Sequence, residues 1–407
     1  MRRTMHVGVV GLGHRGPSMT NLLSSLDGVR VDMVCDLYED RVSYMAKWLK
    51  DNRGYEPVAT TNYDDLVNNK ELEAIFIFSS WEAHIPQAVA AMKAGKWVAM
   101  EVGGAYSVKQ CWDLVRTSEE TGMPVAMLEN CCYGKRELMV ANMAAKGALG
   151  KIVHCEGGYR HYLCDEIADG EKIRHYRLRN YLNRNCHNYP THDFGPIAKI
   201  LGINRGNRPV SLVSVASGAF GMKEYIKEQR PEYTHLQDAE FAQGDVVTTI
   251  IKCAHGETVT LTLDTTLPRF YSRDFAVQGT RGMYEENSDS IYLEGRDLPH
   301  GTEINRHCGN AKDFEEEFLS PKWRPENADK VKGGHGGMDG LCLDAFLDKL
   351  AAGDKDLDID VYDAAVWMAI TALSEQSLAA GGVPVAFPDF TNGAWITREP
   401  RHCDDFS

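Results

Sequence analysis

Gly11, Gly13 and Gly16, in the stretch Val7-Gly8-Val9-Val10-Gly11-Leu12-Gly13-His14-Arg15-Gly16, are the first residues whose types and spacing suggest chemistry. Asp36 joins them at the end of the next apolar run. A short β-branched run entering G-x-G-x-x-G, with an acid some twenty residues further on, is the pattern of a turn that holds a dinucleotide. Each residue type has a physical reason. Gly11 permits the tight turn from strand to helix. Gly13 removes the Cβ that would keep a pyrophosphate from the backbone. Gly16 lets the helix pack close to the sheet, and the helix N-terminus offers N–H groups to an anion. Asp36 can accept hydrogen bonds from ribose hydroxyls and would repel a 2′-phosphate, which predicts NAD rather than NADP.

The second group lies in Asn188-Tyr189-Pro190-Thr191-His192-Asp193-Phe194-Gly195-Pro196. Pro190 suits the first turn of a helix, and from there Tyr189 and His192, three apart, would share one helical face. A tyrosine and a histidine converging on one point can relay a proton from a substrate hydroxyl, which hydride loss from a carbinol carbon requires. A capped helix with a histidine buried against a sheet accounts for the same residues, and spacing does not choose between the two. Cys131-Cys132 reads as packing. His335, in Gly333-Gly334-His335-Gly336-Gly337, either faces a substrate from a loop or belongs to a structural turn.

Two kinds of element must position these groups. Strand candidates His6–Val10, Val31–Cys35, Ala74–Phe78, Trp97–Met100 and Val125–Leu128 alternate with helical stretches Arg41–Lys50, Pro86–Ala94 and Val108–Thr121. The pattern predicts an α/β domain with a parallel Rossmann sheet over residues 1–129. Its ligands should gather at the carboxyl ends of the strands, in one cleft. Residues 130–407 open with a helix, Lys135–Lys146, and then turn strand-rich. Val153–Tyr159, Val210–Ser217, Asp245–Cys253, Thr258–Leu263, Arg273–Gly279 and Gly282–Glu286 follow, with Ala254-His255-Gly256-Glu257 as a hairpin turn. This half is expected to be an α+β domain with an open, mainly antiparallel sheet, ending in helices Leu341–Leu350 and Val361–Ala379. Residues 301–332 read as a polar loop, Asp313–Glu317 as a solvated helix face, Asp354–Asp360 as a solvated loop, and Trp367 as core.

The chain has 407 residues, enough for two domains, and a net charge of -14. That charge argues against a nucleic-acid or anionic-membrane surface. No apolar run is long enough to span a bilayer. The N-terminus runs directly into the first strand, without the apolar region of a signal peptide, so a cytoplasmic protein is expected. The eleven cysteines are scattered, odd in number and without paired C-x-x-C motifs, so neither zinc nor any other metal is expected. An open sheet with an exposed face makes a homo-oligomer an expectation too.

A dinucleotide domain followed by an open antiparallel sheet resembles the Gfo/Idh/MocA oxidoreductases of sugars and polyols. Within them, the chain is most similar to the NAD-dependent α-N-acetylgalactosaminidases of glycoside hydrolase family 109. The resemblance rests on Glu129-Asn130-Cys131-Cys132-Tyr133-Gly134, Glu156-Gly157-Gly158-Tyr159, Tyr176-Arg177-Leu178-Arg179, Tyr189-Pro190-Thr191-His192, Ile203-Asn204-Arg205-Gly206-Asn207-Arg208 and Gly334-His335-Gly336-Gly337-Met338-Asp339. It implies NAD contacts at His14, Arg15, Asp36, Trp81 to His84, Glu101, Val102 and Asn130. It implies substrate contacts at Tyr159, Arg177, Tyr189, Pro190, Thr191, His192 and Tyr271, with His192 the most important for catalysis. One departure separates the chain from typical sugar dehydrogenases of the superfamily. They carry Glu-Lys-Pro where this chain has Glu101-Val102-Gly103, so the proton relay falls to tyrosine and histidine. The implied activity is glycoside cleavage by a redox route, with Tyr159 or Tyr271 as a second base. The alternative is an NAD-dependent sugar or polyol dehydrogenase that releases a keto product.

Overall fold

The computed structural model describes residues 2–296, 303 and 308–401. They form two compact units: residues 2–130 with 326–366, and the described residues of 131–325 with 367–401.

The first unit is built on six strands, β1 (Met5–Val10), β2 (Val29–Cys35), β3 (Val58–Thr60), β4 (Ala74–Ile77), β5 (Trp97–Met100) and β6 (Val125–Met127). All pair in parallel, in the order β3-β2-β1-β4-β5-β6. Every residue of β4, β5 and β6 is buried, as expected where helices cover both faces of a sheet. Helices Gly16–Leu23, Glu39–Arg53, Tyr63–Asn68, Trp81–Lys93 and Val108–Thr121 connect the strands. Their ends are set locally. The Asn62 and Ser107 side chains accept from the backbone N–H groups of Asp64 and Gln110, each at 3.2 Å. Left-handed Gly54 and Gly122 end two of them. The order reverses between β1 and β4, which opens a crevice at their carboxyl ends. Five of the six strands are visible as apolar runs. The sixth, β3, has three residues, none buried, and so leaves no pattern.

The second unit carries β7 (Ile152–Arg160), β8 (Pro209–Ala216), β9 (Val246–Cys253), β10 (Thr258–Asp264), β11 (Ala276–Gly279), β12 (Gly282–Glu285), β13 (Ser290–Leu293) and β14 (Val385–Ala386). Their order is β13-β12-β11-β7-β10-β9-β8-β14. The pairings are antiparallel except that of β7 with β10. Residues alternate between buried and less buried along β9, so one face of the sheet packs inward. The hairpin turn closes where expected, with Gly256 at φ +103°. Helix Thr191–Ile200 lies close on β7. A Cβ at Gly157 would stand 2.7 Å from the Asp193 carbonyl oxygen, so the glycine is what admits the helix.

Three expectations change. Part of 301–332 lies outside the described residues. The rest is not plain loop but a string of short helical turns, Asn310–Phe314, Glu315–Phe318, Pro321–Trp323 and Pro325–Asn327, which bury Ala311, Phe314 and Phe318. Turns this short carry no periodicity to read. Within the acidic run, Glu315 is an ion-pair partner of Lys135 and Arg136, at 2.8 and 2.7 Å, rather than part of a merely solvated face. Asp358, in the segment expected to be solvated, is buried. Trp367 is core, as are Cys131 and Cys132. No described helix is long and apolar enough to cross a membrane.

Candidate active site

The three glycines of the first unit are required for different reasons. Gly11 has φ +93°, and a Cβ there would lie 2.4 Å from the backbone of Phe78 and Ser79. At Gly16 a Cβ would lie 1.9 Å from the Gly11 carbonyl oxygen. At Gly13 it would meet only the tip of Arg41, at 3.3 Å. Packing against backbone thus forces two of the glycines, while the third meets only the end of one side chain. That is the glycine a pyrophosphate would cover, so the turn fits a dinucleotide.

Asp36, buried at the end of β2, accepts from Leu12 N at 2.6 Å and Tyr38 N at 3.1 Å, with Arg41 Nη1 3.5 Å away. It therefore ties the end of β2 to the glycine turn. Beside it Leu37 is 84% exposed, an apolar surface suited to a flat ring. Arg15 donates from Nη1 and Nη2 to the two oxygens of Asp339 at 2.8 and 2.7 Å, and from Nε to Glu101 at 3.1 Å. Asn130 Nδ2 donates to the same Asp339 at 2.6 Å. Val102 is buried, its N–H on the Glu101 carboxylate at 3.2 Å. Trp81 lies against Gly103, where a Cβ would stand 2.5 Å from its ring. His84 is fully buried, donates from Nε2 to the Ser79 carbonyl at 3.0 Å, and is pushed by burial down to about 4, so it is neutral. His14 is exposed. Sequence reasoning placed Arg15, Glu101 and Asn130 here but missed Asp339, the carboxylate that joins Arg15 and Asn130. His335, whose Nδ1 is 3.2 Å from both Asp339 oxygens, belongs to the same network.

The second unit gathers rings. Tyr159, at the end of β7, has its ring centroid 4.3 Å from that of Tyr189 and 5.9 Å from that of His192. Tyr189 and His192 meet edge-on at 4.9 Å. They do not share a helical face as expected. The helix begins at Thr191, with Pro190 as its cap residue, and Tyr189 precedes it. The rings converge through the turn rather than through helical spacing. Thr191 and His192 are both buried. The buried Arg177 guanidinium lies 5.2 Å from the Tyr189 ring and 6.0 Å from the Tyr159 ring. Its Nε is 2.5 Å from Glu166 Oε1. Burial works against the Arg177 charge, but Tyr159 and Glu166 outweigh it and hold its pKa well above the usual value.

Tyr271 is attached through a residue the sequence reading did not single out. Arg160 and Ser272 exchange two backbone hydrogen bonds, at 3.1 and 3.0 Å, which set Tyr271 beside the end of β7. There its ring meets His161 at 5.2 Å, and His161 lies 5.9 Å from Tyr159. Tyr159 and His161 are two apart along an extended chain, the period-2 signal that could have found the histidine. Burial lowers the His161 pKa, and the Arg177 charge adds to that. Tyr271 is 53% exposed as a whole residue, yet desolvation of its phenol pushes it up to about 12. Beneath the cluster His187 Nε2 lies 2.7 Å from Asp193 Oδ2, both side chains fully buried. Burial raises the Asp193 pKa against the pull of His187. Thr371 donates to the His187 carbonyl at 2.8 Å, so the turn entering the helix is held on both sides.

Comparison with known proteins matches these two regions separately. Residues 5–128 match a model of the oxidoreductase family with an NAD-binding Rossmann fold. Residues 133–397 match a model of the glycosyl hydrolase 109 C-terminal domain. An α-N-acetylgalactosaminidase of Tannerella forsythia is 36% identical over 97% of this chain and 88% of its own length. A glycosyl hydrolase family 109 protein of Solibacter usitatus is 36% identical over 98% of this chain and 90% of its own. Among solved structures, an inositol dehydrogenase homologue from Azotobacter vinelandii, complexed with NAD+, superposes with a TM-score of 0.66. It is 14% identical and covers 95% of this chain and 98% of its own, a likeness of fold.

Proposed function

The chain belongs to glycosyl hydrolase family 109, and from that membership we propose that it cleaves glycosides by a redox-neutral route, with α-N-acetylgalactosaminides as the first substrates to test. The observation that carries the reading is the Tyr159–Tyr189–His192 cluster beside Arg177, in a chain that also has an NAD-binding Rossmann domain. NAD, held by the glycine turn with Asp36, Arg15, Glu101 and Asn130, supplies a reversible hydride acceptor. The side chains of the second unit do the rest. His192, with Tyr189, takes the proton of the sugar's C3 hydroxyl. The C3 ketone acidifies the hydrogen on C2, which Tyr159 removes. Arg177 stabilises the enolate oxygen that results. The glycosidic oxygen leaves from C1, water adds to the enone, and the C3 hydroxyl is restored. This differs from the usual route, in which two carboxyl groups flank the bond.

Of the two tyrosines able to act on C2, Tyr159 is favoured. Its ring packs 4.3 Å from that of Tyr189 and lies 6.0 Å from the Arg177 guanidinium, whereas Tyr271, raised to about 12, stays protonated at neutral pH and serves as a hydrogen-bond donor.

The test is proton NMR of the sugar released in D₂O, using purified protein without added cofactor. Deuterium at C2 and release of NAD from the denatured enzyme are expected. A full-intensity C2 proton, with cleavage still occurring, overturns the route. Accumulation of NADH with a free sugar, and no cleavage of any glycoside in a broad panel, replaces it with dehydrogenation.

A further inference from the structure

Asp339 is 1% exposed and both its oxygens are engaged. Oδ2 accepts from Arg15 Nη1 at 2.8 Å, while Oδ1 accepts from Arg15 Nη2 at 2.7 Å and Asn130 Nδ2 at 2.6 Å. Two parallel bonds from one guanidinium to one carboxylate fix direction as well as distance. Arg15 stands two residues past Gly13 of the glycine turn, and Asn130 follows β6. Glu101, which follows β5, holds the Nε of the same arginine at 3.1 Å. Residues of three strand ends, far apart in sequence, are thus joined through one pair of charges.

The segment that carries Asp339 is built for close approach. A Cβ at Gly334 would lie 2.6 Å from Asp339 Oδ2 and 3.6 Å from Arg15 Nη1. At Gly333, with φ +87°, it would lie 2.4 Å from Leu22 of the helix that follows the glycine turn. Side chains at these places would push the carboxylate off the arginine. With its charge balanced by Asp339 and Glu101, Arg15 is not a mobile counter-ion but a strut within the wall of the turn.

We propose that Asp339 is a positioning residue for the dinucleotide, holding Arg15 and Asn130 so that the glycine turn meets NAD in a single geometry. The proposal rests on the reading that this unit binds NAD, and it is tested by binding rather than by glycoside cleavage. The variants Asp339→Asn, Arg15→Met and the double variant are titrated with NAD, and the NAD retained per chain after gel filtration is measured. Leu347→Ala serves as a control, since Leu347 is fully buried on the same helix, Met338–Ala352.

Asp339→Asn should weaken NAD binding about tenfold or more, the loss expected for a charged hydrogen-bond partner. The double variant should lose less affinity than the two single losses combined, because the aspartate acts in part through the arginine and otherwise only through Asn130. Leu347→Ala should lower the melting temperature and leave NAD affinity unchanged. An Asp339→Asn affinity within twofold of the parent overturns the proposal. So does an equal loss of affinity in Leu347→Ala, which would make the effect one of stability. If Asp339→Asn does not fold, Arg15→Met removes the clamp from its more exposed side, and unchanged NAD affinity there overturns the proposal. A parent chain that binds no NAD removes the premise, a failure distinct from these.

Discussion

The glycine turn of the first unit and the ring cluster of the second bring groups together by opposite means. The turn relies on backbone. Gly11 and Gly16 remove side chains so that strand and helix can meet, and at Gly13 a Cβ would meet only the end of Arg41. The cluster relies on side chains. Tyr159, Arg177 and Tyr271 come from segments separate from the turn that carries Tyr189 and His192, and each ring is held by another ring, a cation or a strand pairing. A backbone cradle is local and fails by steric intrusion. A side-chain cluster is non-local and fails by the loss of one function while the scaffold stands. Substitutions in the two regions should therefore separate binding of the cofactor from chemistry on the substrate.

The largest effect belongs to the cluster. His192→Ala should reduce kcat by about 10²–10⁴, the usual contribution of a general base. KM should change much less, because ground-state binding is shared with Tyr159, Tyr189 and Arg177. NAD affinity and melting temperature should stay near those of the parent, since the helix start is anchored separately by the His187–Asp193 pair. Steady-state kinetics with several glycosides check this. Nearly full activity would move the base elsewhere and remove the chemical half of the contrast.

The cradle is tested by its own glycines. Gly13→Val should weaken NAD binding by about 100-fold while leaving stability nearly unchanged, because a Cβ there would meet only the tip of Arg41. Gly16→Ala should instead fail to fold properly, since its Cβ would lie 1.9 Å from the Gly11 carbonyl oxygen. Asp36→Ala should weaken NAD binding by about 1–3 kcal/mol, as expected when hydrogen bonds to a charged group are lost. NADP should not replace NAD in the parent. Thermal melts with and without NAD, and titrations with both cofactors, read all three variants. Equal stability of Gly13→Val and Gly16→Ala would break the distinction between ligand-facing and packing glycines.

The same contrast accounts for what the chain disclosed before folding. The parallel sheet, its crossovers and the cradle are written in contiguous runs, so β1, β2, β4, β5 and β6 with Gly11, Gly13 and Gly16 could be read directly. The hairpin at Ala254-His255-Gly256-Glu257 is as local. In the cluster, Tyr189 and His192 were legible from their own stretch, Tyr159, Arg177 and Tyr271 only through family resemblance, and periodicity misplaced Tyr189, which lies outside the helix. Glu166 and His161 carried weaker signals. A glutamate that offsets a buried arginine eleven residues later looks like any surface acid until the chain folds. Asp339 was legible only as part of a glycine-rich word, because its partners Arg15 and Asn130 lie 324 and 209 residues away.

The smallest effect is one of pH, and it belongs to the first unit. Burial holds His84 at about 4, below the ordinary histidine value of 6.5. Below pH 6.5 the unfolded chain takes up a proton there that the folded chain refuses until about pH 4. The unfolded state thus binds more protons across this window, and stability falls as pH is lowered through it. The contribution is fully present above pH 6.5. Between pH 7 and pH 5 its loss should approach about 2 kcal/mol, since a tenfold difference in proton affinity between the two states is worth about 1.36 kcal/mol. His84→Gln keeps a donor for the Ser79 carbonyl and has no proton to gain. Urea unfolding of parent and variant at pH 7 and pH 5 isolates this contribution, because other titrating groups are common to both. The parent should lose more stability than the variant by that amount. Parallel losses would mean that His84 accepts its proton in the folded state, and the wall of the cradle formed by helix Trp81–Lys93 would then be wetter than its burial implies.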